Sequence, residues 1–100
     1  MLKLVFLEAA SADIGRYSEK IYEYTEHSSS VKSYFDRIKK ACDQISAFPY
    51  SCPVYRPVHP LDLEFRIKTV GNYNLFYFVD EASDTVAVAR VILAKKEERI

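Results

Sequence analysis

Leu63, Phe65 and Ile67 interleave with Glu64, Arg66 and Lys68. This period of two predicts a strand with one buried face. Gly71 and Asn72 sit between Val70 and Tyr73, where a two-residue hairpin turn needs positive φ. Tyr73 to Val79 is apolar on both alternating sets of positions, as a central strand would be. Asp80 to Asp84 supplies turn residues, and Thr85 to Leu93, rich in β-branched residues, predicts a third strand. The economical arrangement is an antiparallel meander.

Placing the turn at Gly71-Asn72 sets the register. Val70 then faces Tyr73, Lys68 faces Leu75 and Arg66 faces Tyr77, and such partners share a sheet face. Arg66, Lys68, Tyr73 and Tyr77 fall on one side, with Phe65, Ile67, Phe76 and Phe78 on the other. The phenylalanine side is expected to be the core. Arg90 is costly to bury unpaired, so it is assigned to the Arg66 side. The expected sheet has an apolar back and an open front of basic and tyrosyl groups.

Upstream the period changes. Leu2, Leu4 and Phe6 alternate with Lys3, Val5 and Leu7, a short strand. Ile14, Tyr17, Ile21 and Tyr24 recur at helical spacing, with Ser11 as the expected cap and Asp13 in the first turn. Gly15 weakens this helix by roughly 1 kcal/mol relative to alanine. Ser28, Ser29 and Ser30 offer a second cap. Val31, Tyr34, Phe35, Ile38, Cys42, Ile45 and Phe48 form the strongest stripe, opposite Lys32, Asp36, Arg37, Lys39, Lys40 and Asp43. Pro49 stops it. The two helices predict an antiparallel hairpin packed on one face of an antiparallel sheet. Tyr50 to Pro60, with Pro53 and Pro57, reads as an extended connector. The expected order is β-α-α-β-β-β, an α+β fold in one domain over residues 1–100.

Charge adds little. Lys+Arg and Asp+Glu are 14 each, so only local clustering could argue for nucleic-acid contact. Half the residues are apolar, with tyrosine and phenylalanine prominent, which argues for a folded chain. No run is long enough to span a membrane, the N-terminal stretch is unlike a signal peptide, and a cytoplasmic location is expected. Cys42 and Cys52 are read as reduced thiols. His27 and His59 lie outside any ligand-spaced cluster, two glycines cannot build a phosphate loop, and no cofactor is expected. The chemistry left is the front set Arg66, Lys68 and Arg90, with Lys95, Lys96 and Arg99 beyond the last strand. Guanidinium groups bind phosphate bidentately and tyrosines stack bases. The bland alternative is a solvated face whose charges block edge pairing.

The run FRIKTVGNYNLFYFVDEASDTVAVARVI resembles the RelE/ParE toxins of type II toxin–antitoxin systems. Those commonly show a basic strand, a Gly-x-Tyr turn, an apolar-tyrosine strand ending in Asp, and a last strand with Arg-Val. The helix ending in Ala47-Phe48-Pro49 looks closer to the ParE-like, plasmid-stabilisation branch. The resemblance implies a toxin that arrests growth through an essential target, held inactive by a cognate antitoxin, with DNA reached only through that antitoxin. In RelE-like members it implies metal-free cleavage of ribosome-bound mRNA. Arg66, Lys68, Arg90 and Lys96 would then be the catalytic candidates. Asn74 stands where those enzymes often carry arginine, and no tyrosine or histidine follows Arg90 to serve as acid or base. In ParE-like members it implies poisoning of DNA gyrase by binding alone, the alternative slightly favoured. Target contacts would then fall on Arg66, Lys68, Tyr73, Tyr77, Arg90, Lys95, Lys96 and Arg99. Outside the family, a non-toxic interaction domain is the remaining alternative.

Overall fold

The computed structural model describes residues 1–57 and 62–94, so His59, Lys95, Lys96 and Arg99 lie outside the described residues. The element order is β1 (Lys3–Phe6), α1 (Glu8–Thr25), α2 (Ser28–Ala47), β2 (Arg66–Val70), β3 (Tyr73–Asp80) and β4 (Thr85–Leu93). Helix α1 starts a turn earlier than its stripe suggests. Its N-cap is Leu7, with no side-chain cap, and the helix-favouring Ala9 and Ala10 carry it past Ser11, whose amide donates to the Leu7 carbonyl. Asp13 therefore lies in the second turn and is buried. Glu26 in left-handed backbone (φ 55) closes α1. Helix α2 begins at Ser28 behind His27, again with no side-chain cap, and ends before Pro49.

The sheet order is β1-β4-β3-β2. β2 and β3 pair as the turn required, Arg66 opposite Tyr77, Lys68 opposite Leu75 and Val70 opposite Tyr73, with Gly71 at φ 59. β4 adds antiparallel to β3 with a bulge: Phe76 faces Arg90 but Tyr77 faces Val88, leaving Ala89 as the extra residue. β1 pairs parallel to β4, so the sheet is mixed rather than wholly antiparallel. A parallel neighbour needs a long crossover, and the helical hairpin provides it.

The helices cover the opposite face from the one expected. Val70, Leu75, Tyr77, Val86, Val88 and Val91 pack with Ala10, Tyr34, Ile38, Ala41, Cys42 and Ile45 in one buried cluster. The side carrying Arg66, Lys68, Tyr73 and Tyr77 is thus the helix-packed side. A tyrosine can be core when its hydroxyl finds a partner, and Tyr77 donates to the Pro49 carbonyl at 2.7 Å. Tyr34 likewise donates to the Ile14 carbonyl at 3.3 Å. The phenylalanine side is covered by the connector. Tyr55 packs edge-on against the fully buried Phe76 at 5.1 Å, and Phe65 against Phe78 at 5.6 Å.

The edges are handled unequally. Beside β2, the Tyr55 amide donates to the Phe65 carbonyl and the Ile67 amide to the Pro53 carbonyl, at 2.7 and 3.0 Å. β4 runs past the end of β1, and there α1 supplies the acceptors. The Val91 amide donates to Asp13 Oδ2 at 3.0 Å and the Leu93 amide to the Tyr17 hydroxyl at 3.2 Å. Four helical residues rise ~6 Å and two strand residues ~6.6 Å, so side chains at i and i+4 meet alternate amides. β1 has no such cover. The Lys3 and Leu7 amides turn inward to the Asp84 and Val88 carbonyls, so the intervening Leu4 and Phe6 turn their backbone groups outward, with no partner among the described residues.

Candidate functional site

The expected front set divides into residues that hold the fold and residues with nothing to hold. Arg66 Nη1 donates to the Cys52 carbonyl at 2.7 Å and the Tyr50 carbonyl at 3.3 Å, while Nη2 pairs with Glu64 at 3.2 Å. Its guanidinium also lies over the Tyr50 ring, 5.2 Å from the centroid. Arg66 therefore ties the connector to β2. Tyr77 is buried, and burial, followed by the hydrogen bond with Cys52, pushes its hydroxyl pKa well above the ordinary value. Tyr73 packs edge-on between Tyr17 and Tyr34, at 5.0 and 5.5 Å, and burial pushes its pKa up. Lys68 is half-buried, and its side chain makes no hydrogen bond or ion pair with a described residue.

Arg90 does not join Arg66. A bulge bends its strand and re-aims nearby side chains, and Arg90, next to Ala89, reaches Asp13 of α1. Nε donates to Oδ2 at 2.7 Å and Nη2 to Oδ1 at 2.9 Å. Arg16 adds a bond to Oδ1 at 2.8 Å, so with the Val91 amide the carboxylate is fully engaged. Burial alone would raise the Asp13 pKa. The bonds from Arg90, Val91 and Arg16 outweigh it and hold the group below its usual 3.8. Asp13 is the residue that sequence reasoning misplaced. The available signal was an acid beside the apolar stripe of one helix and an arginine inside an otherwise apolar strand.

A second region comes from β1 and α2. A groove of about 570 Å³ runs between them, floored by Leu2, Leu4, Phe6, Phe35, Ile38 and Cys42. The exposed Asp36, Lys39 and Asp43 also line it. Lys39 and Asp43 pair at 3.4 Å. Burial, then the Asp43 charge, pushes the Cys42 thiol up to about 11, so it sits in the groove as an apolar group. The open edge of β1 lies along this groove, and Phe6 and Phe35 remain substantially exposed there. Alternating side chains of an added strand would enter the groove while its backbone bonds to Leu4 and Phe6. Among the described residues no group of His, Cys, Asp and Glu could hold a metal ion. No helix among them is long and apolar enough to cross a membrane.

The described residues thus build a two-helix hairpin over a four-stranded mixed sheet, with one open edge beside an apolar groove. The sequence matches the family model of the ParE toxin of type II toxin–antitoxin systems, parDE, over residues 4–97, and the chain belongs to that family. Two solved structures share the fold. One is the toxin–antitoxin complex RelBE2 from Mycobacterium tuberculosis, 17% identical, covering 92% of this chain and 96% of that one, with a TM-score of 0.59. The other is the chromosomal ParDE system of P. aeruginosa, 14% identical, covering 93% and 96%, with a TM-score of 0.65. No match is found among curated protein sequences.

Proposed function

We infer that this toxin is silenced by an antitoxin segment that adds to β1 as an extended strand and fills the β1–α2 groove. The observation that carries this reading is the contrast between edges. β2 is covered by the connector and the end of β4 by α1, whereas Leu4 and Phe6 present backbone groups with no partner among the described residues beside an apolar channel. Large exposed apolar patches on a small domain mark interaction sites. An unpaired edge beside one favours strand addition over helix docking.

For the target, we favour binding of DNA gyrase over cleavage of ribosome-bound mRNA. Arg66 and Arg90, two of the four catalytic candidates, are committed to the chain's own carbonyls and carboxylates, and Asn74 is buried. A cation held this way is poorly placed to meet charge developing on a scissile phosphate. Lys68, with Lys95, Lys96 and Arg99, remains the proposed basic contact with the target.

Induced expression of the chain alone is expected to arrest growth, and co-expression of its cognate antitoxin to restore it. Purified protein should inhibit gyrase supercoiling and leave mRNA on ribosomes uncut. Codon-positioned mRNA cleavage would reverse the order of targets. Phe6→Lys, on the exposed edge, should weaken antitoxin capture while growth arrest persists. Undiminished capture would place the antitoxin elsewhere.

A further inference from the structure

Arg37 differs from the arginines of the sheet. Helix α2 pairs its exposed lysines with acids one turn on, Lys32 with Asp36 at 3.6 Å and Lys39 with Asp43 at 3.4 Å. The side chain of Arg37, between them in sequence, makes no hydrogen bond or ion pair with any described residue. Its guanidinium instead approaches the β2–β3 turn. Nη1 is 3.0 Å and Cζ 3.7 Å from the point where a side chain would begin at Gly71. Gly71 is in the left-handed region, φ 59, which only glycine adopts without strain. The residue that makes the turn is therefore also the one that leaves room for the guanidinium.

The space in front of Arg37 is a cavity of about 400 Å³ lined by Ser29, Ser30, Ser33, Asn72 and Tyr73. Ser30, Ser33 and Arg37 are spaced three and four residues apart, so they share one stripe of α2, beside the apolar stripe of Tyr34 and Ile38. No carboxylate among the described residues lines this cavity. A planar cation, several hydroxyl-bearing side chains and an amide-bearing one share a common space with no anion among the described residues to balance them. Each hydroxyl and each guanidinium N–H can donate.

We propose that this cavity is an oxyanion site for a phosphate group, with Arg37 as the bidentate ligand and the Ser30 and Ser33 hydroxyls as further donors. Asn72 lines it from the turn. A tetrahedral phosphate directs its oxygens out of a single plane, so it can meet the guanidinium fork and hydroxyls from several directions, whereas a carboxylate presents its acceptor sites in one plane. The group could arrive as free phosphate or on a nucleotide, and the volume accepts either. The site lies on α2 and the β2–β3 turn and shares no lining residue with the β1–α2 groove.

The test uses the full chain labelled with 15N, titrated with sodium phosphate, with adenosine monophosphate, with sodium glutamate, and with sodium chloride at matched ionic strength. Phosphate should move the amides of Ser30, Ser33, Arg37 and Asn72 saturably in the millimolar range, and chloride should not. Tighter binding of the nucleotide by about tenfold identifies a nucleotide phosphate as the ligand, and equal binding identifies free phosphate. Arg37→Gln should weaken the response roughly tenfold or more, and Arg37→Lys, which keeps charge but loses the fork, by less. Ser33→Ala gives a second reading that does not depend on Arg37→Gln folding. Non-saturable shifts, a full response in both Arg37→Gln and Ser33→Ala, or glutamate binding as tightly as phosphate would overturn the site.

Discussion

Removing Arg90 should cost the fold more than it costs any surface contact. Asp13 is 1% exposed and accepts two bonds from Arg90, one from Arg16 and one from the Val91 amide. Arg90→Met would leave the carboxylate buried with Val91 and the exposed Arg16 alone. Breaking a buried pair from one side costs about 3–5 kcal/mol. The Arg90 side chain is 34% exposed and Arg16 remains, so solvent screening and the remaining bond reduce this to about 2–3 kcal/mol. For a domain of this size that lowers the melting temperature by about 10–20 °C. Asp13→Asn keeps an acceptor for Val91 and lets Arg90 reach water, so about 1–2 kcal/mol is expected.

Urea unfolding of both single variants and the double variant measures the pair itself. The double should cost less than the sum of the singles by about 1 kcal/mol or more. Acid supplies an independent check. The Asp13 pKa is depressed in the folded chain, so its contribution is complete above the unfolded value near 3.8 and is lost as pH falls through the folded value. The stability gap between wild type and Asp13→Asn should therefore close in acid. Additive costs, a native midpoint for Arg90→Met, or a gap constant into strong acid would refute the reasoning. Native stability with lost toxicity would return Arg90 to the target-binding surface.

Arg66→Ala should release the Tyr50 and Cys52 carbonyls, cost about 1–2 kcal/mol, and open the connector to chymotrypsin at Tyr50 before global unfolding. Cleavage no faster than wild type would show that the tie is dispensable. Gly71→Ala must place a side chain at positive φ and against Arg37, so a loss of about 1–2 kcal/mol in chemical denaturation is expected, and a neutral result would contradict the turn geometry. Cys42, with its thiol pushed up to about 11, should resist iodoacetamide at mildly alkaline pH while the chain is folded, as read by peptide mass, because the thiolate is the reactive form. Labelling of Cys42 at the rate of a free thiol would refute its burial.

Local pattern carried most of the fold. Alternation around Phe65 and the Gly71-Asn72 turn determine the β2–β3 register, and the two helical stripes determine the hairpin. Face assignment failed because it ranked phenylalanine above tyrosine without knowing what the hydroxyls would meet. The partner of Tyr77 is a carbonyl 28 residues away, and no periodicity reports that. Asp13 and Arg90 are 77 residues apart, which is why one was read as a helix-start charge and the other as a surface cation. The position of β1 was hidden for a related reason, since a parallel partner is brought in by the crossover and leaves no turn signal. Long-range acceptors also decide which cations are free to act. Arg66 and Arg90 looked available because their strands were legible, yet the folded chain uses both internally. Arg37 looked like one more charge on a solvated helix face, yet its side chain has no hydrogen-bond or ion-pair partner among the described residues and lines a polar cavity. Free cationic chemistry in this chain therefore follows from the tertiary pairing of charges, and the solvated-face pattern of α2 concealed it.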